Sequence, residues 1–432
     1  MWLVPLLTRI CRFAVRSYYR FEVRGEAVPA EGPLLVVANH PNGVVDPISV
    51  VVAAGRPIRY VAKEPIFDVP ILGWLSRGSG AIPVRRRQDV SGAAADNSGM
   101  FAAARAALAS GGALGIFPEG ISHDEPALTP LKTGAARIAL GAAAEGVRGI
   151  RIVPVGLNYR EKEMFRSRAL ACIGDEVEWS DLEGRPESDE EAVRELTSRL
   201  EKAIRDVTVN LERWEDVALI EFAEAVWSAE FGRKDIEERH EGRIAAGNIL
   251  QRLRQEDPES VSALAQALLS FELTLETLRL RPRNLDAKPS LAGMIRWVVR
   301  RVLILIAGVP VVAAGTLVFV IPYAIVGFFD RRSSEPRDVR STYKLLGGGL
   351  FYIAWIALLS VLTGWRFGPV AGLASALGLP LLGMATQWLR ERWGYAMLDV
   401  RRFFALRRGA LRENLLARRK ALASELDALL RD

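Results

Sequence analysis

His40 is one of only 3 histidines in 432 residues, and it stands in the run Asn39-His40-Pro41-Asn42-Gly43-Val44-Val45-Asp46-Pro47. Five residues, Pro41 to Val45, separate the imidazole from the carboxylate of Asp46. A Pro/Asn/Gly turn between them lets the chain fold back, so that an Asp46 oxygen meets one ring nitrogen and leaves the other open to take a proton. That is the arrangement of a general base with its orienting carboxylate. Such a pair also occurs as a plain structural hydrogen bond, so by itself it does not define an activity.

Three further runs carry groups of chemical interest. Gly78-Ser79-Gly80-Ala81-Ile82-Pro83-Val84-Arg85-Arg86-Arg87 ends in three consecutive arginines. Guanidinium forks match phosphate oxygens, and the same run also fits a solvated basic turn. Gly115-Ile116-Phe117-Pro118-Glu119-Gly120 ends an apolar stretch on a carboxylate, with a glycine that permits close backbone approach. Val153-Pro154-Val155-Gly156-Leu157-Asn158-Tyr159 is strand-like, and its proline and glycine point to an edge strand or a tight backbone approach.

The elements that must position these runs alternate along residues 22–180. Short apolar runs at Leu34–Ala38, Ile58–Ala62, Ala81–Val84, Leu114–Phe117 and Ile152–Leu157 read as strands, and Met100–Leu108 and Gly134–Ala144 read as helices. The alternation predicts an α/β domain with a central mixed, largely buried sheet. Each run of chemical interest then lies at or just beyond a strand end.

Outside that domain the chain changes character. Arg9, Arg12, Arg16 and Arg20 recur at helical spacing in residues 1–21, with Leu3, Leu6, Leu7, Ile10 and Phe13 largely on other faces. This predicts an amphipathic helix at a membrane interface, Trp2, Tyr18 and Tyr19 being interfacial aromatics; an ordinary helix packed on the next domain is the alternative. Residues 181–290 form a charged helical segment in which His240 stands among Glu237, Glu238, Arg239 and Glu241 as a surface histidine. Residues 291–400 hold the apolar stretches Val302–Phe329, Leu345–Thr363 and Phe367–Leu389, bordered by arginines. Their lengths suit membrane helices, as two hairpins or three to four spans, with Pro310 and Pro322 breaking the first. Residues 401–432 read as a basic amphipathic helix. The formal charge of +6, with no zinc spacing and no RNA-binding signature, points to anionic membrane rather than nucleic acid. The 2 cysteines, Cys11 and Cys172, form no disulfide framework and fit a cytoplasm-facing site.

Taken in order, the four runs resemble the blocks of the glycerophospholipid acyltransferases, which act on glycerol-3-phosphate, dihydroxyacetone phosphate or lysophosphatidic acid. The likeness covers roughly residues 20–180. Five residues between His40 and Asp46, where four are commonest in the family, together with the helical and membrane segments, resemble its longer glycerol-3-phosphate and dihydroxyacetone-phosphate branch. The resemblance implies a catalytic pair in His40 and Asp46. It implies acceptor binding by Arg86, with Arg85 beside it, by Lys63 and by Glu119 and Gly120, and it gives Lys132 a lesser place. His123 matches no family position and is expected to be structural or peripheral. No cofactor or metal is implied; acyl-CoA or acyl carrier protein is the co-substrate, delivered from the cytoplasm to an integral membrane enzyme. The acceptor expected is glycerol-3-phosphate or dihydroxyacetone phosphate, the alternative being lysophosphatidate or another lysophospholipid. A non-catalytic lipid-binding protein on the same fold is a different class, expected to have lost His40, Asp46 or Glu119. An α/β hydrolase is disfavoured because no Gly-x-Ser-x-Gly elbow occurs.

Overall fold

The computed structural model describes residues 4–85, 97–125, 127–209, 214–232, 236–278, 280–286, 291–332, 340, 342–406 and 409–431. The chain divides into two units: Met1–Asn210 with Glu335–Leu345, and Leu211–Ser334 with Leu346–Asp432.

The first unit is built on seven strands: β1 (Arg20–Arg24), β2 (Leu34–Ala38), β3 (Arg59–Lys63), β4 (Ile82–Val84), β5 (Ala113–Ile116), β6 (Arg151–Tyr159) and β7 (Arg168–Ile173). Their spatial order is β1-β7-β6-β2-β5-β3-β4. β4, β3, β5, β2 and β6 run parallel to their neighbours, β7 is antiparallel to β6, and β1 pairs parallel with β7, so the sheet is mixed. The apolar run Leu34–Ala38 has no polar face because it lies at the centre, and all five of its residues are buried. Burying each such Leu or Val side chain contributes roughly 1.5–3 kcal/mol. Helices α1 (Val4–Tyr18), α2 (Val45–Ala54), α3 (Pro70–Ser79), α4 (Ser98–Ala109), α5 (Gly134–Ala144) and α6 (Glu190–Asp206) complete the unit. Alanines on α5 are buried almost without exception, which lets that helix lie close within the core that also takes Leu196, Leu200 and Ile204 of α6.

The reading of β6 as an edge or a close approach is decided, and one expectation changes. β6 is an interior strand between β2 and β7, not an edge. Pro154 is tolerated because the ladder to β7 starts at Val155, and its carbonyl still accepts the Gly174 N–H at 3.0 Å. The glycine does mark a tight approach: a Cβ on Gly156 would stand 2.0 Å from the Val207 carbonyl oxygen. Tyr18 and Tyr19 are core residues rather than interfacial ones, buried with Val15, Val45 and Val52. Trp2 lies outside the described residues. On α1, Arg9, Arg12 and Arg16 are exposed, as are Ile10 and Phe13.

The second unit is helical. It contains α7 (Trp214–Phe231), α8 (Ile236–Glu256), α9 (Pro258–Thr277) and Gly409–Arg431; α7, α9 and Gly409–Arg431 share one apolar core around Phe222, Val226, Phe271 and Leu415. α10 (Leu291–Arg332) is one helix with Pro310 and Pro322 inside it, so the prolines do not fold the first apolar stretch into a hairpin. Helices Gly349–Phe367 and Pro369–Leu406 follow, turning at Gly368, whose φ of 97° suits glycine. Gly364 and Gly372 let these two helices meet, since a Cβ on Gly372 would lie 2.9 Å from the Gly364 Cα. Three segments are long and apolar enough to cross a membrane: Gly308–Arg332, Tyr343–Phe367 and Pro369–Arg390. They leave large apolar side chains such as Leu317, Val361 and Trp365 exposed, as a membrane protein does.

Candidate active site

The parallel arrangement gathers the sequence motifs on one edge of the sheet. β2, β5 and β6 are neighbours, and their carboxyl ends lead to His40, to Phe117–Glu119 and to Tyr159. The carboxyl edge of a parallel sheet is where open α/β folds place ligands. Beyond β5 on the same edge, β3 ends at Lys63 and β4 leads to Arg85.

Asn39 fixes the exit from β2. Its amide donates to the Leu157 carbonyl at 3.0 Å and its oxygen accepts the Leu157 N–H at 2.7 Å, so the side chain continues the sheet pairing where the backbone departs. The His40 ring then lies flat on Phe117, with centroids 4.1 Å apart. Its Nδ1 pairs with Asp46 Oδ2 at 2.9 Å, while no described residue bonds its Nε2. With a carboxylate on Nδ1, the favoured neutral tautomer carries its proton there and leaves Nε2 as the base.

Asp46 is fully buried in the first turn of α2. It accepts from the Asn42 N–H at 2.6 Å and from the Tyr159 hydroxyl at 2.9 Å as well as from His40. Burial pushes its carboxyl up from the ordinary range, opposed by the hydrogen bond and charge of His40 and by the Asn42 and Tyr159 donors. All three contacts suit the ionised form, and the positive end of α2 favours it further. Tyr159 itself stays protonated, because burial and the adjacent Asp46 push its phenol well above the usual value.

Glu119 holds the other side of His40. Its carboxylate, 2% exposed, accepts the backbone N–H of His40 at 2.7 Å, the Thr129 N–H at 2.9 Å, the Thr129 hydroxyl at 2.8 Å and the His123 Nε2–H. Burial raises its pKa, but these donors, His123 first, outweigh that and hold it below the usual carboxylate range. Gly120 turns the chain with φ 76°, and a Cβ there would lie 2.7 Å from Lys132 Nζ, so the lysine crosses the space that a side chain would fill.

An acyltransferase family model matches residues 20–158. Glycerol-3-phosphate O-acyltransferases 1 and 2 of Saccharomyces cerevisiae are 36% and 35% identical over 29% and 31% of this chain, and the matches cover 17% and 18% of those proteins. The chain thus matches under a fifth of the length of either. A lyso-ornithine lipid O-acyltransferase of Rhodobacter capsulatus is 31% identical over 38% of this chain and 54% of that one. The chain carries an acyltransferase domain.

Within the acyltransferase domain, the structure brings His40, Asp46, Glu119 and Gly120 together. It does not bring all the expected phosphate ligands to them. Arg85 is exposed and forks onto Glu64 at 2.9 and 3.1 Å, while Asn97 Oδ1 accepts its backbone N–H at 3.1 Å. Lys63 is exposed at the end of β3. Arg86 lies outside the described residues. Glu119 receives protein donors on both oxygens, the His40 N–H on Oε1 and Thr129 and His123 on Oε2. His123 has the structural one of its two expected roles, since it bonds Glu119 and its N–H reaches the His40 carbonyl at 3.2 Å. Sequence reasoning missed Tyr159, Asn39, Asn42 and Thr129. The first three lie inside quoted motifs, and their polar side chains at strand ends were the available signal; Thr129, ten residues beyond Glu119, gave none.

Proposed function

We propose that the protein transfers a fatty acyl group from acyl-CoA or acyl carrier protein to the hydroxyl of glycerol-3-phosphate or dihydroxyacetone phosphate. The observation that carries this reading is the His40–Asp46 pair at 2.9 Å with Nε2 bonded by no described residue, in a domain whose relatives include proteins named glycerol-3-phosphate O-acyltransferase. Nε2 takes the acceptor hydroxyl's proton as the oxygen attacks the thioester carbonyl. Asp46 stabilises the imidazolium, and the proton passes to the departing thiolate as the tetrahedral intermediate collapses to an ester and free thiol. Such proton transfer supplies about 10²–10⁴-fold of rate. The route needs neither a metal nor an acyl-enzyme, and no cofactor besides the acyl donor.

The acceptor's phosphate falls to the β3–β4 side of the sheet edge, where Lys63 and Arg85 supply cations, with Lys132 above Gly120; in sequence Arg86 follows directly. Arg85 would exchange its Glu64 partner for phosphate oxygens, which are equally suited to its fork. Membrane lipids receive the product, and the basic flanks of the apolar helices support a site facing the cytoplasm. No role is assigned to nucleic acid.

The test is a substrate panel on full-length protein purified in detergent, pairing acyl-CoA and acyl carrier protein with each acceptor. Acylation of glycerol-3-phosphate or dihydroxyacetone phosphate is expected. Turnover confined to lysophosphatidate or another lysolipid would replace the acceptor, and transfer to none would remove the reaction. Sealed vesicles of known orientation given external acyl-CoA test sidedness, since the thioester does not cross the bilayer.

A further inference from the structure

The turn between His40 and Asp46 is completed by a segment some 300 residues further along the chain. Helix N-termini leave backbone N–H groups without intrahelical partners. At the start of α2, Val45 N–H finds the Asn42 carbonyl at 3.0 Å and Asp46 N–H the Gly43 carbonyl at 3.3 Å. Val44 N–H instead donates to the Thr342 hydroxyl at 3.2 Å, across a separation of 298 residues. Val44 lies between Asn42, whose N–H holds the Asp46 carboxylate, and the first residue of α2.

The same segment reaches the turn by a second route. Lys344 Nζ donates to the Glu163 carbonyl at 3.0 Å, and Arg340 faces the Glu163 carboxylate at 3.5 Å. The adjacent Lys162 donates to the Pro41 carbonyl at 2.7 Å and the His123 carbonyl at 3.2 Å, tying the His40 and His123 turns together. Leu345 packs against the cluster that contains Tyr19, Val45 and Val52, on which Tyr159, the tyrosine that holds Asp46, also packs. In sequence this segment lies between two apolar helices, α10 and Gly349–Phe367. It continues through a π-helical turn, Tyr343–Gly348, into the second of them.

We propose that Arg340 and Thr342–Leu345 form a positioning strap that holds the His40–Asp46 turn in its working geometry, so that acyl transfer depends on chain supplied from between the membrane helices. The strap does not touch the reacting atoms. It sets the position of Asp46 through Val44 and α2, and that of His40 through Lys162 and Pro41. This rests on the acyl-transfer reading for its kinetic consequence but not for its geometry.

The experiment uses the full chain in detergent. Thr342→Val keeps the shape and removes the acceptor for Val44. It is expected to lower kcat about tenfold, as an unsatisfied backbone donor would, with KM for donor and acceptor within about twofold of wild type. Thr342→Ser restores kcat to within about twofold, and Lys344→Met lowers it about threefold. A substrate-independent reading comes from protein labelled with 15N-histidine, whose three histidines give few resonances. The His40 imidazole signals should move in Thr342→Val and return in Thr342→Ser. Unmoved signals, wild-type kcat in the valine variant, or a change confined to KM would each overturn the strap. Absence of acyl transfer by the wild type would remove the proposed reaction, while the His40 signals still decide the strap. Where Thr342→Val is not recovered folded, the His40 signals of Lys344→Met decide in the same way.

Discussion

Two stretches of the same sheet edge are built differently. At its centre, beyond β5, β2 and β6, the described polar groups around His40 are buried and committed: Asp46 accepts from three residues, and Glu119 accepts from His40, Thr129 and His123. At its flank, beyond β3 and β4, Lys63 and Arg85 are exposed, and Arg85 is engaged by a glutamate that is also largely exposed. Proton transfer needs a base held to within tenths of an ångström, which packed neighbours and charge-assisted hydrogen bonds provide. Holding a phosphate needs charge and reach more than rigidity, and long basic side chains at a solvated rim supply those. A centre that fails when perturbed and a flank that yields are the expected consequences.

The largest break is at the base itself. His40→Ala should reduce acyl transfer by about 10²–10⁴-fold, with the protein still recovered in membranes at the normal yield. Wild-type-like turnover by that variant would remove His40 from the chemistry. Asp46→Asn should come close behind, because a buried amide both loses the orienting charge and presents N–H groups to donors that need an acceptor. Turnover numbers and histidine 15N spectra of the two variants, compared under identical conditions, separate loss of the base from loss of its orientation.

Glu119 tests the centre through stability. Its folded pKa lies below the ordinary value of 4.5, so its hydrogen bonds stabilise the fold above that pH and are lost as pH falls through the lower folded value. Glu119→Gln should therefore lower the thermal midpoint at neutral pH, by an amount corresponding to about 1–3 kcal/mol. The gap to wild type should narrow as pH drops below about 4.5. A gap constant across pH would show that the charge of Glu119 does not matter to the fold.

How much of this was legible beforehand follows from how local each feature is. β2, α5 and the positions of His40, Asp46 and Glu119 were legible, because five consecutive buried residues or a turn between a histidine and an aspartate leave their mark in a few adjacent letters. β1 was not: Arg20–Arg24 alternates charge with apolar residues, every position is half-buried, and the strand lies at the sheet edge. β7 buries the five consecutive apolar residues Ala169–Ile173, a run that was open to reading but was not among the expected strands. The partners of Glu119 were not legible, because His123 and Thr129 reach it only once the following loop has folded back. Tyr159 was visible at the end of a motif, but its hold on Asp46 depends on β6 lying beside β2. The hydroxyl of Thr342 is an ordinary letter until the chain returns across 298 positions.

Arg85→Ala carries the smallest expected effect and bears most directly on the flank. The Arg85–Glu64 fork has side chains 59% and 47% exposed, so water and salt screen it, and its loss should cost less than about 1 kcal/mol of stability. The thermal midpoint should hardly move. The acceptor's KM should rise about three- to tenfold while kcat holds, because a rim cation contributes binding that is equal in the ground and transition states. Glu64→Gln should do the reverse, lowering the acceptor's KM by removing the carboxylate that competes with phosphate for the fork. If Arg85→Ala instead lowers kcat with KM unchanged, Arg85 belongs with the rigid centre, and the division of the edge into a fixed base and a yielding rim is wrong at β4.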